Sequence, residues 1–178
     1  MSAPTPNIYL IGFMGTGKTT AGRMLAKRLR YAFIDTDKAI EAREATPVKT
    51  IIEEKGLPYF RELEVAFIES GHAPEACVVS CGGGLITNPG MMETLRARGL
   101  VIAFFASVET LLERTGRNDK RPLLNVKNPR ERIEALLEER TALYKQAHVC
   151  ISTDMRSISD VAQQIGRTYE QFVRRISG

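Results

Sequence analysis

Gly12-Phe13-Met14-Gly15-Thr16-Gly17-Lys18-Thr19 follows directly on the apolar run at 8–11 and leads into an alanine- and leucine-rich stretch at 20–29. This is the pattern G-x-x-x-x-G-K-[ST] in the strand–loop–helix setting that a phosphate-binding loop requires. Its glycines let successive backbone N–H groups turn inward around a phosphate without a Cβ in the way. A helix beginning at Lys18 aims the positive end of its dipole at the same point. Lys18 is then expected to reach the β- and γ-phosphates, and the Thr19 hydroxyl to ligate Mg²⁺. Nucleotide contacts are expected from Gly15, Thr16, Gly17, Lys18, Thr19 and Thr20. The bland alternative is a glycine-rich strand-to-helix turn that holds no ligand.

The 178 residues, 43% hydrophobic and 26% charged, suit one domain with its own core. The net charge of +4, from 25 basic and 21 acidic residues, favours small anionic ligands. No aromatic platform accompanies the basic residues, which argues against a nucleic-acid partner. Three cysteines, Cys77, Cys81 and Cys150, leave one unpaired in any disulfide scheme and match no zinc spacing. They read as reduced, mostly buried thiols of an intracellular protein. No apolar run approaches the ~20 residues that cross a bilayer, and residues 1–7 carry no export signal. The expectation is a cytoplasmic protein without a membrane partner.

Apolar runs at 8–11, 32–34, 77–80, 100–105 and 149–151 alternate with helical patterns at 18–30, 47–54, 58–70, 89–97, 108–114, 129–146 and 157–176. Several helices start near a proline, and Gly56, Gly71 and Gly99 fall where helices should stop. The alternation predicts an α/β fold with a mostly parallel five-stranded sheet, helices on both faces and ligands at the strands' carboxyl ends. One polar, basic segment without helical period, 116–128, is expected to be mobile.

Four further features bear on chemistry. Asp35 and Asp37 lie at the end of the second strand, where i and i+2 of an extended chain share a side about 6–7 Å apart. One suits the Mg²⁺ shell and the other an acceptor hydroxyl, although Asp and Thr also favour a plain helix cap there. Arg61 and Glu64 stand at i and i+3 of a helix, so Glu64 would steady the guanidinium as a fork for a carboxylate. An exposed intrahelical ion pair worth a few tenths of a kcal/mol is the alternative. Gly82-Gly83-Gly84 after the third strand is costly in backbone entropy and fits a close approach of ligand to main chain, or else a flexible turn. No acidic residue stands at Ser80 and Cys81, which leaves Asp35 for the metal. Finally, 114–121 carries four positive charges, Arg114, Arg117, Lys120 and Arg121. Such a segment suits a closing lid that stabilises a moving phosphoryl group and expels water, or a solvated basic loop. Arg140 by itself reads as a surface arginine.

Together these markers, with Arg121-Pro122-Leu123-Leu124 and Arg140 ahead of Leu143-Tyr144, resemble the shikimate kinase family in their usual order. The resemblance implies a three-layer, adenylate-kinase-like phosphate-loop fold with strand order 2-3-1-4-5. It implies a single kinase domain over 1–178, with an acceptor region at about 36–70 and a lid at about 115–128. It further implies transfer of phosphate from ATP, with Mg²⁺, to the 3-hydroxyl of shikimate in aromatic amino acid biosynthesis. Asp37, Arg61, Gly82, Gly83, Gly84 and Arg140 would bind shikimate, with Arg61 and Arg140 forking its carboxylate and Asp37 bonding the reacting hydroxyl. Lys18, Asp37 and Arg121 would be catalytic, with Lys18 and Arg121 on the phosphoryl group, and Thr19 and Asp35 would serve the metal. Arg114 would lie along the adenine with Ser152-Thr153-Asp154 on its other side. A monomer is the expected working unit. The nearest rival acceptor is gluconate, then a nucleoside monophosphate; a slow nucleotide hydrolase of regulatory function is the rival of another class.

Overall fold

The computed structural model describes residues 5–115 and 126–178, and its architecture follows from strands that are apolar on both faces. Every residue of β1 (Asn7–Gly12) is buried, as are the four of β3 (Cys77–Ser80) and nearly all of β4 (Gly99–Phe105). Strands buried on both sides belong in the middle of a parallel sheet covered by helices. With β2 (Ala32–Asp35) and β5 (Val149–Ser152) at the edges, the order is β2-β3-β1-β4-β5, every pair parallel. This is the order the family resemblance implies.

Alternation along β1 divides the core. Ile8 and Leu10 face α1 (Lys18–Leu29) and α7 (Ile158–Ser177), packing with Leu25, Val161 and Ile165. Tyr9 and Ile11 face the other way, toward Ile68 of α3 (Val48–Ser70), Leu95 of α4 (Met91–Arg98) and Tyr144 of α6 (Pro129–Tyr144). A smaller cluster joins Phe13 and Leu111 of α5 (Val108–Thr115) to Ile133 and Leu136 of α6. All three cysteines are free thiols, two buried and Cys150 exposed.

The structure departs from the sequence reading at α2 and at the aspartates beside it. Residues Thr36–Glu44 form a helix, α2, that periodicity does not announce, because only Thr36 and Ile40 of it are buried. The helical stretches expected at 47–54 and 58–70 both lie within α3, and the non-helical backbone of Gly56 (φ 87°, ψ 160°), just before Pro58, separates them where a helix stop is expected. Most consequentially, Asp35 and Asp37 do not share an extended strand. Asp35 is the N-cap of α2, accepting from the Lys38 N–H at 3.2 Å, and Asp37 lies in that helix's first turn. The i, i+2 spacing argument therefore fails, while the cap reading holds for Asp35. Of the basic segment, Arg117, Lys120 and Arg121 lie outside the described residues.

Candidate active site

The strands' carboxyl ends open into one cavity of about 1160 Å³. The phosphate loop enters it from β1, with Gly15 and Gly17 at positive φ (83° and 95°). There the N–H groups can turn inward without a side chain opposing them. Lys18 is 8% exposed and its Nζ donates to the carbonyls of Gly12 (2.7 Å) and Phe13 (2.8 Å), so the ammonium sits inside the cradle. Thr16 is turned away. Its buried hydroxyl donates to Phe13 O at 2.8 Å and ties the loop, leaving only its main chain to meet a ligand. Thr20 is exposed at the cavity's edge.

Beside the loop, Thr19 Oγ1 donates to Asp35 Oδ2 at 3.0 Å and lies 3.3 Å from Ser80 Oγ. The parallel register of β2 and β3 sets Asp35 opposite Ser80, which is why the three converge. Ser80 thus occupies the place where a carboxylate was missing. These oxygen donors fit Mg²⁺, which keeps several waters and takes few protein oxygens besides phosphate.

The acceptor side is assembled from four segments. Arg61 and Glu64 form the expected ion pair, but it is not an exposed one: the side chains are 14% and 1% exposed. Arg140, far from a surface residue, is 5% exposed on α6. The glycine turn lies between them. A Cβ on Gly84 would overlap the Arg61 guanidinium, and one on Gly82 would strike the carboxylates of Glu64 and Asp37. The Gly82 N–H donates to Thr36 Oγ1 at 2.9 Å, fastening the turn to the first turn of α2.

Three buried polar atoms here have no hydrogen-bond partner among the described residues: Asp37 Oδ1, Glu64 Oε1 and Arg140 Nε, the last 3.7 Å from Glu139 Oε1. Buried polar groups are ordinarily paired, so these mark where a polar ligand belongs. Burial, reinforced by the charge of Asp35, raises Asp37 to about 6 despite the opposing Lys18 and Arg61. Burial likewise raises Glu64 to about 7 against the pull of Arg61. Cys81, also at the cavity, is pushed far above the thiol range by burial, which makes it a poor nucleophile. Among the described residues, seven cationic side chains line the cavity against four acidic ones, a field that favours anions.

On the nucleotide's outer side, Arg114 Nη1 donates to Gly15 O and Thr153 Oγ1, both at 3.3 Å. Thr153 is buried behind Arg114 and holds it, outside the cavity lining. Asp154 accepts from the Ser107 N–H (2.9 Å) and staples the turn after β5 to the start of α5. Sequence reasoning missed Ser80, Met14, Arg156 and Ile158, which also line the cavity. Met14 stands within the phosphate-loop pattern itself and Ile158 opens an amphipathic helix, whereas Ser80 and Arg156 carry no such local signal.

A parallel five-stranded sheet, a phosphate loop and an anion-favouring pocket beside it define a small-molecule phosphotransferase of the phosphate-loop class. The family model for shikimate kinase matches residues 14–170. The shikimate kinase of Sulfurihydrogenibium sp. (strain YO3AOP1) is 43% identical over 89% of this chain and 95% of its own. That of Thermoanaerobacter pseudethanolicus is 42% identical over 92% and 95%. The solved shikimate kinase of Acinetobacter baumannii in complex with shikimate superposes with a TM-score of 0.87, at 40% identity over 92% of each chain. This chain belongs to the shikimate kinase family and is an ATP-dependent kinase.

Proposed function

We propose that this chain, as one kinase domain over 1–178, transfers the γ-phosphoryl group of ATP to the 3-hydroxyl of shikimate. The products are shikimate 3-phosphate and ADP, and the transferred group replaces the hydroxyl proton. The observation that carries this reading is the pair of guarded arginines, Arg61 and Arg140, opening with unpartnered Asp37 Oδ1 into the cavity that holds the phosphate loop. Arg61, steadied by Glu64, and Arg140 present a fork to the acceptor carboxylate, and Gly82, Gly83 and Gly84 let the acceptor approach the main chain.

Asp37 accepts from the reacting hydroxyl and aims it. A loose phosphoryl-transfer transition state asks more for alignment than for a strong base. Lys18 leaves its loop carbonyls for the phosphate oxygens, and Arg121, assigned by the family resemblance, stabilises the moving group. Thr19 would hold Mg²⁺ with Asp35 beside it, and the ion would supply positive charge against the phosphates. Gly15, Gly17 and Thr20 meet the phosphates, and Arg114, held by Thr153, covers the adenine. We propose a monomer as the working unit. We place the enzyme in the cytoplasm; no described helix is long and apolar enough to cross a membrane.

The test is ADP release with Mg²⁺ and ATP in the presence of shikimate, gluconate or nucleoside monophosphates. Shikimate alone should stimulate it. Stimulation by another acceptor without stimulation by shikimate overturns the assignment.

A further inference from the structure

We propose that Tyr144 is a positioning residue that sets the acceptor against the nucleotide by fixing the peptide after Gly83. The proposal rests on the shikimate kinase reading and adds a residue to it. Tyr144 is 1% exposed, and its Oη donates to the Gly83 carbonyl at 2.6 Å. The ring is itself held edge-on against Phe105, with centroids 6.1 Å apart and planes at 90°. Arg140 Nη1, one helical turn earlier, donates to the same carbonyl at 3.4 Å. One oxygen of the glycine turn therefore takes both of its bonds from α6, the helix that carries an arm of the carboxylate fork.

The opposite side of Gly83 meets the phosphate loop. A Cβ there would stand 3.4 Å from Gly12 O and from Met14 N. Gly83 thus bridges the phosphate loop and α6, which also meet where Phe13 packs with Ile133 and Leu136. A peptide is planar and trans, so a fixed carbonyl fixes the following N–H in the opposite direction. Pinning Gly83 O to α6 aims the Gly84 N–H away from that helix. It also sets the gap between the acceptor's turn and the phosphate loop. In-line transfer is sensitive to displacements of about an ångström, so a hydroxyl that never touches substrate can still govern it. Burial raises the Tyr144 phenol to about 12, which keeps it a donor throughout the working range.

Tyr144→Phe removes only the hydroxyl. The shikimate KM should rise roughly three- to tenfold, the worth of one neutral hydrogen bond. The ATP KM should stay within about twofold. Tyr169→Phe is the control: its buried phenol bonds to Pro6 O (2.8 Å) and Tyr31 Oη (2.9 Å) in the α1–α7 layer, away from the cavity. It should lower Tm without moving either KM. An unchanged shikimate KM in Tyr144→Phe, equal rises in both KM values, or a matching shikimate effect in Tyr169→Phe overturns the proposal. A Tyr144→Phe variant that does not fold overturns it as well, since the hydroxyl would then serve the fold. Wild-type enzyme that shikimate fails to stimulate would instead sink the functional reading itself.

Discussion

The nucleotide half and the acceptor half of this cavity are built on opposite terms. The phosphate loop is a contiguous run whose polar groups bond one another: Lys18 rests on the carbonyls of Gly12 and Phe13, and Thr16 on that of Phe13. The acceptor half is gathered from α2, α3, α6 and the glycine turn, and it retains buried atoms of Asp37, Glu64 and Arg140 with no hydrogen-bond partner among the described residues. A self-satisfied cradle can form before any ligand arrives. A pocket with orphaned buried polar atoms is less stable empty than filled, because binding restores the missing hydrogen bonds. The contrast teaches where acceptor selectivity resides: the loop offers a phosphate cradle that is complete in itself, whereas the far side is completed only by a polar ligand.

The most damaging way to break this division is Lys18→Ala. Loss of a charge that stabilises the transition state should lower kcat by about 10²–10³. The fall should appear alike in shikimate-dependent ADP release and in the slow release without acceptor, and a loss confined to the shikimate-dependent rate would erase the distinction between the halves. Arg61→Ala comes next. It strips the fork and leaves Glu64, 1% exposed, without its partner. With each charged hydrogen bond worth about 1.5–3 kcal/mol, the shikimate KM should rise roughly 10- to 100-fold. The ATP KM, measured in the same steady-state runs, should barely move.

The smallest effect sharpens the comparison through pH. Asp37 and Glu64 are raised in the fold to about 6 and about 7, so the folded protein holds protons that the unfolded chain releases from about pH 4 upward. Stability from these two groups is therefore greatest at low pH and is lost as pH rises through 6 and 7. Free protein should melt a few degrees higher at pH 5.5 than at pH 8, an effect of order 1 kcal/mol. Asp37→Asn should flatten that slope in a thermal-melt series. Activity should run the other way. The kcat/KM for shikimate should fall below about pH 6, as Asp37 in the free enzyme loses its charge. Parallel trends in melting and activity would detach Asp37 from acceptor binding.

Much of this molecule was legible along the chain, and the reason is range. The phosphate loop, the strand and helix alternation, and the stops at Gly71 and Gly99 obey rules that act within a few residues. They needed nothing from elsewhere in the fold. Helix α2 was invisible because it buries only two side chains, so no stripe of apolar residues marked it. The i, i+2 argument for Asp35 and Asp37 failed for the same cause, since it took an unannounced helix for strand.

The sequence by itself determined a parallel α/β sheet with a nucleotide cradle at its carboxyl edge, because periodicity, glycine dihedrals and helix dipoles are local properties of the chain. Only the tertiary structure decided that Arg140 turns inward, that the Arg61–Glu64 pair is buried, and that Ser80 joins Thr19 and Asp35. Burial and desolvation depend on what packs over a residue. The segments that pack here are brought together by the order of the strands, which no short window of sequence contains.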